Sequence, residues 1–279
     1  MQGSPASIHV FDRPPVVEVA LSVQFARLPL LRPFAIRDLW ATWAATYPNV
    51  QEQPTLPPLE VELPRGQPSR LRIALEPITT PSDVRYWFSD EASRFLIQVQ
   101  QDRFVFNWRR APGDDSPYPR YATVRENFLR HLAELIAFLQ HEEVGDLRFN
   151  ATEVTYINHI PAGQGWAGPP HLEEVIQYWR GVPQTSERSA PRDVAMRWRY
   201  EVEPVDGISA GHLLVALDPA RHLETQQDIL SLQLIARGLP SADGVEGAVA
   251  SMDAGREWIV RRFVEMTTPK MHAHWGRQS

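Results

Sequence analysis

The stretch Ile97 to Arg110, IQVQQDRFVFNWRR, constrains the fold more than any other part of the chain. Ile97 and Val99 alternate with Gln98 and Gln100, and after Gln101 and Asp102 the residues Phe104, Phe106 and Trp108 alternate with Val105, Asn107 and Arg109. Period-two alternation on both sides of a short polar turn predicts a β-hairpin with two chemically different faces. The aromatic face requires a core to cover it. The opposite face gathers Gln98, Gln100, Asn107 and Arg109 into a patch of amide donors and acceptors with a cation at its edge, which is the first candidate binding surface. A solvated antiparallel face is the plainer reading of the same pattern.

Composition narrows the setting. A chain of 279 residues, 43% hydrophobic and 10% aromatic, is long enough to bury the core of one large domain or two small ones. It has no cysteine, which excludes disulfides, thiolate metal sites and cysteine nucleophiles and fits a reducing compartment. The start, MQGSPASIHVFDRPP, lacks the basic and apolar regions of a signal peptide, and no apolar run is long enough to span a bilayer. A cytoplasmic protein with no membrane contact is expected. The net charge of -6 argues against a main role in wrapping duplex nucleic acid. Charge is uneven, however: between Arg94 and Arg130 seven arginines face only Asp102, Asp114, Asp115 and Glu126, and Lys270 is the only lysine. Arginine suits bidentate phosphate and carboxylate contacts, although a GC-rich genome gives the same bias.

Along the chain, residues 1–14 read as an extended or loose lead-in. Val16–Phe25 is a β-branched, nearly continuous apolar run and predicts a central strand. Ile36, Trp40, Trp43 and Tyr47 predict a short helix after Pro33. From Gln51 to Pro68 dense prolines predict an irregular connection with one short strand near Leu59–Leu63. Four strands are then expected at Leu71–Glu76, Val84–Ser89, Phe95–Gln100 and Arg103–Arg109. Val124, Phe128, Leu132, Leu135 and Leu139 form the stripe of a helix over Tyr121–Glu142. The order then starts again: a long strand at Leu147–Ile160, a short helix at Leu172–Trp179, strands at Asp193–Glu203, His212–Leu217 and Ile229–Ala236, and a long helix at Val245–Met266.

This order predicts an α+β fold of two similar β-α-β(3-4)-α halves, residues 15–145 and 146–279, with antiparallel sheets and helices on one face. The arrangement resembles the saddle of the TATA-binding-protein-like fold in its topology. An uncovered sheet face would favour a homodimer.

Two further groups are candidate binding residues. The loop DDSPYPR before the long helix holds Tyr118 and Arg120, which its prolines could fix near the hairpin; capping a helix is the structural alternative. Asn158 and His159 lie on the first strand of the second half. Glu153 and His159 share a side of that strand but stand roughly 20 Å apart, so they form no acid-base pair by themselves. His272 and His274 are too few to specify a metal. No GxxxxGK[ST], GxGxxG, GxSxG or HExxH motif is present. Neither a cofactor nor a catalytic residue is expected from the sequence.

PPVVEVALSVQF, IQVQQDRFVFNWRR with the following YPRY, EVTYINHI and FVEMTTPKMHAHWG together resemble an uncharacterised, sporadically distributed family of bacterial proteins over nearly the full chain. The resemblance implies no activity or cofactor; the sporadic distribution implies a mobile, defence-related or toxin-antitoxin role. The leading expectation is a non-enzymatic binding protein that uses its polar sheet surface to hold a protein partner or a small polar ligand. The alternatives are a nucleic-acid-binding protein, and a hydrolase using Glu153, His159 and Arg109 between the halves.

Overall fold

A computed structural model of the chain describes residues 10–59, 61, 84–111, 113–114, 116–181, 193–202, 211–222 and 226–278. It is an α+β protein built on one nine-stranded antiparallel sheet. In chain order the elements are β1 (Val16–Phe25), α1 (Pro33–Trp43), β2 (Asn49–Pro54), β3 (Val84–Ser89), β4 (Phe95–Gln100), β5 (Arg103–Arg109), α2 (Arg120–His141), β6 (Phe149–Pro161), a 3₁₀ turn (Pro169–Glu174), β7 (Met196–Val202), β8 (Gly211–Arg221), β9 (Asp228–Gly238), α3 (Gly244–Met266) and α4 (Pro269–His274). The strands lie in the order β2-β3-β4-β5-β1-β6-β9-β8-β7.

β1 is central, as its apolar run requires. It pairs with β5 on one side and β6 on the other, placing Leu21 beside both Phe106 and Val154. The hairpin β4-β5 turns at Gln101-Asp102, with Ile97 opposite Phe106 and Val99 opposite Phe104. Its aromatic side is fully buried: Phe104 packs 5.6 Å from Phe128 of α2, ring centre to ring centre. α3 covers β6 and β9 in the same way. Gly255 makes that approach possible, since a Cβ there would stand 3.0 Å from the Ala236 side chain. At the α1–α2 contact, the buried His131 accepts or donates between Tyr47 Oη (2.8 Å) and Glu134 (2.8 Å), while Trp43 Nε1 donates to the same Glu134 oxygen at 2.7 Å.

Several elements differ from their sequence reading, each through a tertiary contact. β2 occupies part of the stretch expected to be irregular. It is an exposed edge strand, NVQEQP, of poor intrinsic β character, and its ladder with β3 supplies what propensity lacks. The helix expected over Leu172–Trp179 is replaced by the 3₁₀ turn at Pro169–Glu174. The chain beyond it pairs instead with the end of α3, Gln177 N donating to Met266 O (2.7 Å) and Thr268 N to Val175 O (3.0 Å). The C-terminal tail forms a helix of its own, α4, capped by the Thr268 hydroxyl. The lead-in is not loose where it is described: Phe11 is buried against Phe263, His272 and Trp275. The strand expected at Leu71–Glu76 lies outside the described residues, as does most of that near Leu59–Leu63; Leu59 itself is not in a strand. Among the described residues no helix is long and apolar enough to cross a membrane.

Candidate functional site

The polar side of the hairpin is buried, and its amides are engaged within the chain. Gln98, Gln100 and Asn107 have relative exposures of 6%, 4% and 3%. Gln98 Oε1 accepts from Arg85 Nη1 (2.8 Å) and Trp87 Nε1 (2.9 Å), and its Nε2 donates to Asn107 Oδ1 (2.7 Å). Asn107 Nδ2 donates in turn to Glu18 Oε1 (2.6 Å). Gln100 grips the proline-rich segment that follows β2: Leu56 N donates to its Oε1 (2.9 Å), and its Nε2 donates to Leu56 O (3.2 Å). Arg103 Nη2 reaches Pro57 O (2.6 Å), and Leu59 N donates to Gln24 Oε1 (2.6 Å). Arg109, half-buried, donates to Ser93 O (2.8 Å) and stands over the Trp87 ring. A loop with no ladder partner thus has its backbone groups satisfied by sheet side chains, as burial demands.

Tyr118, Arg120 and Asn158 meet elsewhere, around a cavity of about 470 Å³. It lies on the helix side of the sheet, between the lead-in (Val10, Phe11, Pro14), the start of α2, β6 and α3. Strand alternation directs Tyr156 and Asn158 to this side and His159 to the other. Asn158 is anchored by donating from Nδ2 to Leu232 O (3.0 Å). Tyr118 is held between Pro117 and Pro119, packs against Trp108 at 5.1 Å, and shares a 3.2 Å hydrogen bond with the Tyr156 hydroxyl. Arg120 opens α2 with φ of +73°, a left-handed backbone that a non-glycine residue adopts at a cost. Its guanidinium donates to Phe11 O (2.8 Å), tying the lead-in across the cavity.

Three lining residues were not singled out from sequence: Tyr121, Tyr156 and Arg256. Tyr121 donates to Asp253 Oδ1 (2.7 Å), which also accepts a bidentate pair from Arg125, so α2 and α3 are bridged beside the cavity. Arg256 stacks its guanidinium 5.4 Å from the Tyr121 ring centre, and its Nε is buried with no hydrogen-bond partner among the described residues. A signal for Arg256 exists in the sequence. Val249, Met252, Arg256, Ile259, Phe263 and Met266 follow alternating spacings of three and four, so Arg256 is the one charged member of the apolar stripe of α3.

Burial sets the chemistry of the lining. It raises the pKa of Tyr118 well above the ordinary phenol value and raises those of Tyr121 and Tyr156; the nearby Asp253 carboxylate adds to the effect at Tyr121. These phenols stay protonated near neutral pH and can donate hydrogen bonds into the cavity. The walls are otherwise apolar, from Phe11, Val16, Ile259, Val260 and Phe263.

The remaining candidates are dispersed. His159 lines a second cavity, which shares Pro14 and Val16 with the first, and burial followed by the proximity of His222 lowers its pKa. Glu153 is ion-paired with Arg237 at 2.6 Å, so Glu153, His159 and Arg109 each have separate surroundings. His272 is buried against Thr267, whereas His274 faces the second cavity. Among the described residues no group of three or more His, Asp or Glu is arranged to hold a metal ion. No family model, no curated protein and no solved structure matches the chain.

Proposed function

We propose that the protein is a non-enzymatic binding protein that takes a small amphipathic molecule into the 470 Å³ cavity between α2, α3 and β6. The carrying observation is the buried Nε of Arg256, which has no hydrogen-bond partner among the described residues and lines a cavity whose walls are largely apolar. A buried donor without an acceptor costs about 1–3 kcal/mol, which an acceptor on a ligand would recover. The volume suits a compact organic ligand, and the apolar walls with a few fixed polar groups suit an apolar body bearing a carboxylate or carbonyl head. The hairpin's amides support a partner-binding surface less well, because their hydrogen bonds are made to the chain itself.

The two-half organisation belongs to the same reading. β1 and β6 lie antiparallel at the centre, β5 and β9 flank them, and a long helix follows each of those flanking strands, an order in keeping with a duplicated saddle. The cavity then forms where the two halves' helices and the lead-in converge.

A dansyl-labelled medium-chain fatty acid is a direct probe. Fluorescence titration should show saturable binding that Arg256→Met weakens roughly ten-fold, while Val260→Trp, which fills the cavity, abolishes it. Binding that is absent, or unchanged in both variants despite intact melting curves, overturns the proposal.

A further inference from the structure

The second cavity, of about 720 Å³, is chemically unlike the first. It lies at the end of β6 and shares Pro14 and Val16 with the first cavity. Among the described residues its ionisable lining consists of Arg13, Arg110, His159, His222 and His274, with no carboxylate. In a chain of net charge -6, this is a local reversal of sign.

Neither arginine is in an ion pair among the described residues. Among the described residues Arg13 makes one long side-chain contact, Nη2 to His274 O at 3.4 Å. Arg110 uses only Nη1 among the described residues, donating to the carbonyls of Ser116 (2.8 Å) and Asp114 (3.3 Å), while its guanidinium lies 5.8 Å from the Trp108 ring centre. The Asp114 carboxylate lies near enough to feel Arg110, but it makes no ion pair with it among the described residues. The frame around the arginines is fixed by backbone hydrogen bonds: Arg13 N to Trp275 O (3.0 Å), His159 N to Pro15 O (2.9 Å) and Ala162 N to Asp228 O (2.9 Å). His159 is half-buried, so a proton on it is disfavoured until an anion is present to compensate.

The geometry points to this cavity as a binding site for a small organic phosphomonoester. Guanidinium groups match phosphate oxygens in a fork, and imidazole N–H groups add further donors. The space exceeds what a bare phosphate fills, and Trp275, Pro14 and Ile229 provide an apolar wall for the organic part. The inference is independent of the ligand proposed for the first cavity.

Calorimetric titrations at fixed ionic strength with glycerol 3-phosphate, adenosine monophosphate and inorganic phosphate test it. At least one organic phosphate should bind more tightly than inorganic phosphate. Arg13→Gln, an exposed substitution, should weaken binding several-fold, and Arg13→Gln with Arg110→Gln by roughly ten-fold or more. His159→Ala provides a variant that leaves the Arg110 loop contacts in place and should also weaken binding. Absence of binding by both organic phosphates, preference for inorganic phosphate, or equal affinity in Arg13→Gln and His159→Ala overturns the inference.

Discussion

Glu18 carries opposed influences in a single side chain. Burial raises its pKa above 4.5, and the raising outweighs the hydrogen bond from Asn107 and the charge of Arg109, both of which lower it. The folded chain therefore holds this proton more tightly than the unfolded chain. The stability that results is fully present below the unfolded value and is lost as pH rises through the folded one. Glu18→Gln keeps an acceptor for Asn107 Nδ2 without the titration. Urea midpoints measured at pH 4.5 and pH 7 should fall more for the parent protein than for Glu18→Gln over this rise, and parallel changes would contradict the assignment. The surrounding amides show why a polar strand face need not be wet. Gln24 and Gln100 hold backbone groups of Leu56 and Leu59, so their polarity serves an internal loop.

At the level of the element, α3 joins two functions on one stripe. Its apolar members seat it on β6 and β9, while Arg256 opens the same face toward the first cavity. Gly255 sets how close the helix comes, with Ala236 at 3.0 Å and Val154 at 3.8 Å from the position of an added Cβ. Gly255→Val should destabilise the protein by about 1–3 kcal/mol through overpacking, measured by urea denaturation. An unchanged midpoint would mean that α3 does not rest on the sheet at this point. Element types were legible wherever the period was strong: β4, β5, α2 and α3 fall within a residue or two of their expected bounds. β2 and the 3₁₀ turn were not. Their form depends on pairing with β3 and with the end of α3, and no local pattern encodes a distant partner.

Across the whole molecule, the two ends of the described chain close on one another. Asp12 N and Arg13 N donate to the carbonyls of Gly276 and Trp275, Gln278 N donates to Val10 O, and Phe11 packs edge-on against both Phe263 and Trp275. The closing segments line both cavities: Val10 and Phe11 the first, Arg13, His274 and Trp275 the second, and Pro14 and Val16 both. Phe11→Ala should cost about 3 kcal/mol, and it should remove hydrogen-exchange protection from the Asp12, Arg13 and Gln278 amides before global unfolding. Retained protection would show that the backbone ladder alone holds the ends. The sequence by itself determined the periodic quantities: which side of each strand and helix is apolar, that β1 is central, and that the aromatic side of β5 needs a helix. Only the tertiary structure decided what the polar groups meet. Gln100 finds Leu56 at a separation of 44 residues and Arg120 finds Phe11 at 109, whereas Asn158 and His159, adjacent in sequence, open onto different cavities. The physical reason is that burial periodicity is a local property of the backbone, while a hydrogen-bond partner or a cavity wall is assembled from segments that meet only once the chain has folded.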